Sequence, residues 1–414
     1  MRFIRFSVFF ASLFALLGCQ VLNAGIYRSP PHPLPSEAQL AAAKEPWGGA
    51  GKAGRTGFEA PKSLENPRIV TLAASEGFPR FGQRSAPLAV GSLVIVGGSE
   101  GYVTALDFGS REIVWRFRSP EGISSTPVVA FGKIIVADEG GNVNALDFNG
   151  KSVWNVTLPY PVFADLLVDG DNLYVLCADQ KLYSFRAGDG TPLWQYGDRM
   201  PRESAIWKGA SFAVYKDSVY LGTSEGYLVK IAGESGTQLW KVRVADRGLF
   251  PDVTAGPSIE DNVIYAGTKD GSVAALDADT GAVLWRKEGG GAAGFALTKE
   301  ALYFGNFKGE ITALKRSGGE ELWKTSPSGR EETPSFVLSA GNDIIAGYFD
   351  SGIFVLDGES GVTKEAFSTG SGVGAAPYVG ERGMVLHSNA GNLYIFDAAK
   401  GLSVNRPFGD RAGF

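Results

Sequence analysis

Eight copies of one short pattern recur along this chain at intervals of 38 to 46 residues, a period that restricts it to repeat architectures. The clearest copy is residues 275–285, Ala-Leu-Asp-Ala-Asp-Thr-Gly-Ala-Val-Leu-Trp. It reads as the end of one strand, a tight turn and the start of the next. Asp277 can accept hydrogen bonds from its own turn, and Gly281 supplies the positive φ that closes it. Leu276 and Trp285 are expected to face one core from neighbouring strands. The Asp position is filled by Asp107, Asp147, Arg186, Ala232, Asp277, Lys315, Asp357 and Asp397. The Trp position reads Trp115, Trp154, Trp194, Trp240, Trp285 and Trp323, then degrades to Glu365 and Asn405.

Each copy sits in a unit of four short strands. A small residue, often followed by proline, opens the first strand, as in Ala86-Pro87, Thr126-Pro127, Gly256-Pro257 and Thr333-Pro334. The second strand runs apolar, the third ends at the Asp position, and the fourth carries the Trp. Helical periodicity is absent across the repeats. These features predict an all-β chain, an eight-bladed β-propeller of four-stranded antiparallel blades over residues 67–405. Small residues suit the innermost strands because eight of them converge on one axis. On the outermost strand an indole can cover the neighbouring blade and bury about 200 Å². Ring closure needs a strand from the other end of the chain, and Arg68–Leu72 is the stronger candidate to complete blade eight.

The N-terminus reads as a targeting segment. Arg2 and Arg5 precede an apolar run, Phe6 to Leu17, too short for a comfortable membrane span. Leu16-Leu17-Gly18-Cys19 resembles a bacterial lipobox, which implies a signal peptide over 1–18 and lipidation at Cys19. Gln20 stands where Asp would signal retention at the inner membrane, so the resemblance implies the periplasmic face of the outer membrane. Residues 19–66, punctuated by prolines and a glycine-rich run, read as a tether with a reach of roughly 35–40 Å. Residues 406–414 read as a tail. The formal charge of −5 argues against a nucleic-acid partner.

Chemistry is hard to assemble from this composition. The two histidines, His32 and His387, lie far apart in the chain, so neither a His-based triad nor a His-ligated metal site is expected. Asp277 and Asp279 are spaced like metal ligands, but Arg186, Ala232 and Lys315 at the equivalent position argue for a turn role. No catalytic, metal or cofactor residue is assigned. Cys177 reads as a buried core thiol.

The repeat is interrupted twice, at 196–211 and 242–257, between a Trp strand and the next first strand. Connections of this kind emerge on one face of a propeller. The two extensions carry Trp207, Leu249 and Phe250, flanked by Arg202 and Asp252. Aromatics and arginine on extended loops are the composition of an interaction hot spot, and these five residues are the candidate partner site.

The 275–285 stretch is similar to the repeat of pyrroloquinoline-quinone (PQQ) propellers. With the lipobox, the tether and eight blades, the chain resembles the BamB family of outer-membrane assembly lipoproteins. Pro201-Arg202-Glu203-Ser204-Ala205 resembles a family loop carrying a partner-binding arginine. Phe250-Pro251-Asp252-Val253-Thr254 resembles one carrying an acidic pair, with Thr254 at the second acidic position. The resemblance implies a non-catalytic scaffold that binds the POTRA domains of a BamA-type insertase and other assembly subunits. Unfolded outer-membrane proteins are a further implied partner, and the membrane is reached through the lipid. Two alternatives stay open at this point: a propeller that binds another protein or a polysaccharide, and a PQQ-dependent dehydrogenase. Against the latter, Cys19 and Cys177 cannot supply the vicinal pair such enzymes generally carry.

Overall fold

The computed structural model describes residues 55–56, 60–61, 63–72, 82–197, 211–245, 251–269, 271–289, 291 and 293–398. Eight sheets follow one another in chain order, each with an antiparallel four-stranded blade and that of blade 7 extended by a fifth, parallel strand; no α-helix occurs among the described residues. Blade 1 comprises Leu88–Val90, Leu93–Gly97, Tyr102–Asp107 and Ile113–Arg118; blades 2 to 7 repeat it. Blade 8 takes Tyr378–Gly380, Gly383–His387 and Asn392–Asp397 from the far end of the chain. Its fourth strand is Arg68–Thr71, paired antiparallel from Arg68↔Ile395 to Thr71↔Asn392. The ring of an eight-bladed propeller is therefore closed by the N-terminal strand.

The core is a ring of eight apolar layers, one in each seam between blades. Ala213, Tyr220 and Leu228 of blade 4 meet Val253, Ile264 and Leu276 of blade 5 in one layer. Tyr265, Val273 and Ala275 of blade 5 meet Phe295, Leu302 and Phe304 of blade 6 in the next. The expectation that Leu276 and Trp285 share a core fails here. Leu276 lies in the seam between blades 4 and 5, whereas Trp285 packs against the seam between blades 5 and 6. A β-bulge is the cause: Leu276 pairs with Val283 but Ala275 pairs with Trp285, leaving Leu284 extra and 54% exposed. One extra residue moves every later side chain to the opposite face. The same irregularity recurs at Trp115, Trp154, Trp194, Trp240 and Trp323, so each indole is turned toward the following blade.

There the indole meets the Asp turn. Trp194 Nε1 donates to the Gly233 carbonyl of the next blade at 2.8 Å, and Trp323 Nε1 to Gly358 at 2.9 Å. The ring lies flat against the turn glycine, where an added Cβ at Gly236 would come within 2.7 Å of Trp194. Asp277 Oδ1 accepts from the Thr280 hydroxyl at 2.7 Å and from the Thr280 and Asp279 amides, and these bonds, the hydroxyl first, hold its carboxyl below the usual range. Where the Asp is absent, the backbone bond persists: Gly190 N donates to Arg186 O and Gly236 N to Ala232 O. The carboxylate reinforces a turn that the backbone already makes.

Trp154 differs from its counterparts, because its buried Nε1 has no hydrogen-bond partner among the described residues. Phe in place of Trp194 removes a made bond, whereas Phe in place of Trp154 removes an unsatisfied donor. Trp194→Phe is therefore expected to cost about 1 kcal/mol more than Trp154→Phe in urea unfolding. Equal losses would contradict the assigned partners.

Blade 7 carries Glu365 where the earlier blades carry Trp. Its Oε2 accepts from the Leu64 amide at 2.6 Å, and the Leu64 side chain, 4% exposed, enters the seam between blades 7 and 8. Burial raises the Glu365 carboxyl above its ordinary range. Arg55–Thr56 pairs parallel with Ser339–Ala340 on the innermost strand of blade 7. Parts of the expected tether thus lie along the propeller and stand in for the missing indole.

His387 is buried at the seam between blades 8 and 1, its Nδ1 3.4 Å from the Ser85 carbonyl oxygen. Burial lowers its pKa to about 4, with the Ser85 contact acting the other way. Below an unfolded value of about 6.5 the unfolded chain takes up a proton that the folded one refuses. The stability due to neutral His387 is complete above pH 6.5 and is lost as pH falls from 6.5 to 4, by up to about 3 kcal/mol. Urea midpoints at pH 7.5 and 4.5 should differ more for the natural protein than for His387→Asn.

Candidate functional site

The two ends of the propeller are built from different connections. One face carries the Asp turns together with the turns between first and second strands, tied as in Ala278 N to Asn262 O, 2.9 Å. The other carries the connections between blades and the turns between second and third strands, tied by Ser119 N to Gly101 O and Val244 N to Gly226 O, both 2.8 Å. The described ends of both interruptions lie at this second face, at the seams between blades 3 and 4 and between blades 4 and 5.

Of the five residues assigned to the partner site, Arg202, Trp207, Leu249 and Phe250 lie outside the described residues, as does Cys19. Asp252 is described and is 4% exposed. It is the point where the second extension rejoins the frame: its carbonyl accepts from Lys269 N at 2.9 Å. Gly122, Pro161 and Gly372 accept in the same way from Glu139, Ala178 and Asn389 in other blades. Next to it, Val253 N donates to Thr223 O at 3.1 Å, and Thr254 Oγ1 to Gly291 O at 3.1 Å. Thr254, at the second acidic position of the resembled loop, is thereby spent on the frame. The Asp252 side chain is not: its buried Oδ1 has no hydrogen-bond partner among the described residues. A buried carboxylate oxygen without a donor calls for a cation or an N–H from a neighbouring segment or an incoming chain.

Other titratable groups are structural. Asp165 stands just before the innermost strand of blade 3, Leu167–Asp169, accepts from Thr126 N at 2.8 Å and is raised by burial. Burial likewise pushes the Cys177 thiol up, which keeps it protonated and unreactive. Among the described residues no group of three or more His, Cys, Asp or Glu side chains is placed to hold a metal ion. Sequence reasoning passed over Phe307 and Phe349, each 44% exposed on the same face as the two extensions. The available signal was an aromatic residue in a turn position that is polar or small in the other blades.

Comparison with known proteins adds a family to this geometry. The family model described as outer membrane protein assembly factor BamB matches residues 99–325 and 269–405. The assembly factor BamB of Burkholderia pseudomallei is 26% identical over 181 residues, 42% of this chain and 47% of that protein. A quinoprotein ethanol dehydrogenase of Pseudomonas aeruginosa is 30% identical over 98 residues, 22% of this chain and 15% of the enzyme. The chain spans about half the length of the curated assembly factors it matches. The crystal structure of BamB from Moraxella catarrhalis superposes with a TM-score of 0.68 at 19% identity, covering 80% of this chain and 100% of that one. With the family model spanning well over half its length, the chain belongs to the outer membrane protein assembly factor BamB family.

Proposed function

We propose that the protein is a non-catalytic scaffold of the outer-membrane β-barrel assembly machinery, anchored through a lipid on Cys19 and facing the periplasm. It docks the POTRA domains of a BamA-type insertase on the face that carries the two extensions, and holds them in position for barrel assembly. The observation that supports this reading is that the two long interruptions of the repeat fall at adjacent seams of one face, with an Asp252 oxygen that has no partner among the described residues at the root of the second. Arg202 and Asp252 supply charge there, and Trp207, Leu249 and Phe250 supply apolar anchors. The short match to a quinoprotein dehydrogenase favours a second reading, a PQQ-dependent alcohol oxidation.

The test is the affinity of the mature protein for a purified POTRA array from the same organism. Asp252→Arg and Arg202→Glu are each expected to weaken binding by 30-fold or more, about 2 kcal/mol. Asp252→Asn, which keeps the shape of the buried side chain, guards against an effect through folding. Unchanged affinity in both charge reversals would remove these loops from the interface.

A further inference from the structure

We propose that Phe307 and Phe349 form a second, rigid contact platform on the same face, for a folded protein module with an apolar patch and a basic rim. The inference rests on the docking reading above and names a part of the interface that it did not include. The two phenylalanines occupy one turn position in adjacent blades, directly after the second strands Ala301–Gly305 and Asp343–Tyr348. In the other six blades that position holds Ser99, Glu139, Ala178, Ser224, Lys269 and Asn389. The same turn closes without an aromatic ring in six blades, so two neighbouring exceptions, each 44% exposed, point outward to a partner.

Their backbones are fixed from several directions. Asn306 Oδ1 accepts from Lys308 N at 2.9 Å and Glu310 N at 3.1 Å, which pins the first turn. Tyr348 Oη donates to the Gly309 carbonyl at 2.9 Å, tying the turn of blade 6 to the residue just before Phe349. Glu332 holds the second turn through the Asp350 amide and the Ser351 hydroxyl, and Asn389 Nδ2 donates to Phe349 O at 2.7 Å. The Phe349 ring is seated over Gly82, where an added Cβ would come within 2.3 Å of it. An aromatic whose backbone and one ring face are already ordered loses little entropy on binding, which is the property of a hot spot.

The surrounding charge selects the partner. Four carboxylates, Glu310, Glu331, Glu332 and Asp350, stand against two cations, Lys308 and Arg330, on these turns and the loop between the blades. Blades 6 and 7 continue the arc begun by the seams of blades 3 to 5, so one module, or two in tandem, can span both contact regions.

The double variant Phe307→Ser/Phe349→Ser is titrated with the purified POTRA array beside the natural protein and Asp252→Arg. The expected result is at least a tenfold loss of affinity for the double variant, with cooperative unfolding retained and a thermal midpoint lowered by no more than about 5 °C through the lost Phe349–Gly82 contact. Binding equal to the natural protein would overturn the platform while leaving the docking reading intact. Absence of binding by the natural protein would overturn both. Glu331→Lys/Asp350→Lys is expected to weaken binding three- to tenfold at low salt, and an unchanged or tighter complex would overturn the basic-rimmed partner.

Discussion

Gly236→Ala is expected to destabilise the propeller by about 3 kcal/mol, although it adds a single methyl group on the surface of a turn. Two causes add. Gly236 has φ +71°, a conformation that a Cβ disfavours by about 1–2 kcal/mol. The methyl group would also stand 2.7 Å from the Trp194 ring, which cannot retreat because its Nε1 is bonded to Gly233 O. Blade 1 provides the control. Its turn carries Arg111 at the equivalent position with φ +66°, and the preceding outermost strand, Arg68–Thr71, has no Trp to press against it. Arg111→Ala is therefore expected to stay within about 1 kcal/mol of the natural protein, losing a long, partly buried ion pair to Asp397 and an exposed bond from Nη1 to Gly109 O within its own turn. Urea midpoints of the two variants check the account, and similar losses in both would contradict it.

The closing strand should respond to proline according to which way each amide points. Leu72 N donates to Gly391 O at 3.1 Å, so in the antiparallel register the Val70 amide also points inward, to Leu393, and the Ile69 amide points out. Val70→Pro removes a ladder bond, sets a ring against the neighbouring strand and withdraws a side chain from the seam between blades 8 and 1. A loss of about 3 kcal/mol or more is expected, with faster hydrogen exchange across Asn392–Asp397. Ile69 is 58% exposed on the free side, and Ile69→Pro should cost much less. Equal exchange rates in the two variants would mean that this strand does not hold the ring shut.

The architecture was legible because the period of the Asp turn and the Trp strand is carried by side chains with fixed jobs. The face on which each Trp lands was not. Leu276 and Trp285 look like partners across a turn, and only the bulge at Leu284 separates them into different seams. A one-residue slip leaves the apolar pattern nearly unchanged in the sequence while reversing its meaning in space. Leu64 was equally hidden. It lies in a proline-punctuated stretch that reads as linker, and its role exists only because Glu365 replaces a Trp 301 residues later.

The candidate site was legible in part. The long intervals located the two extensions and the face they share, since the order of strands within a blade determines which connections meet. Asp252 read as a loop residue, yet its carbonyl repeats a frame contact made at Gly122, Pro161 and Gly372. Chain spacing alone does not distinguish the last residue of a loop from the first residue of the frame. Phe307 and Phe349 were missed because each is unremarkable within its own blade; they stand out only when the eight turns are superposed.

The central claim is that this propeller serves as a docking scaffold in barrel assembly, and isolation from native membranes tests it most directly. The full-length protein, with its own N-terminal segment, is solubilised under mild conditions, captured and its bound proteins identified. The account predicts stoichiometric recovery of a BamA-type insertase, reduced at least tenfold by Asp252→Arg. Recovery of no barrel-assembly subunit, together with PQQ-dependent alcohol oxidation by the purified protein, would contradict it.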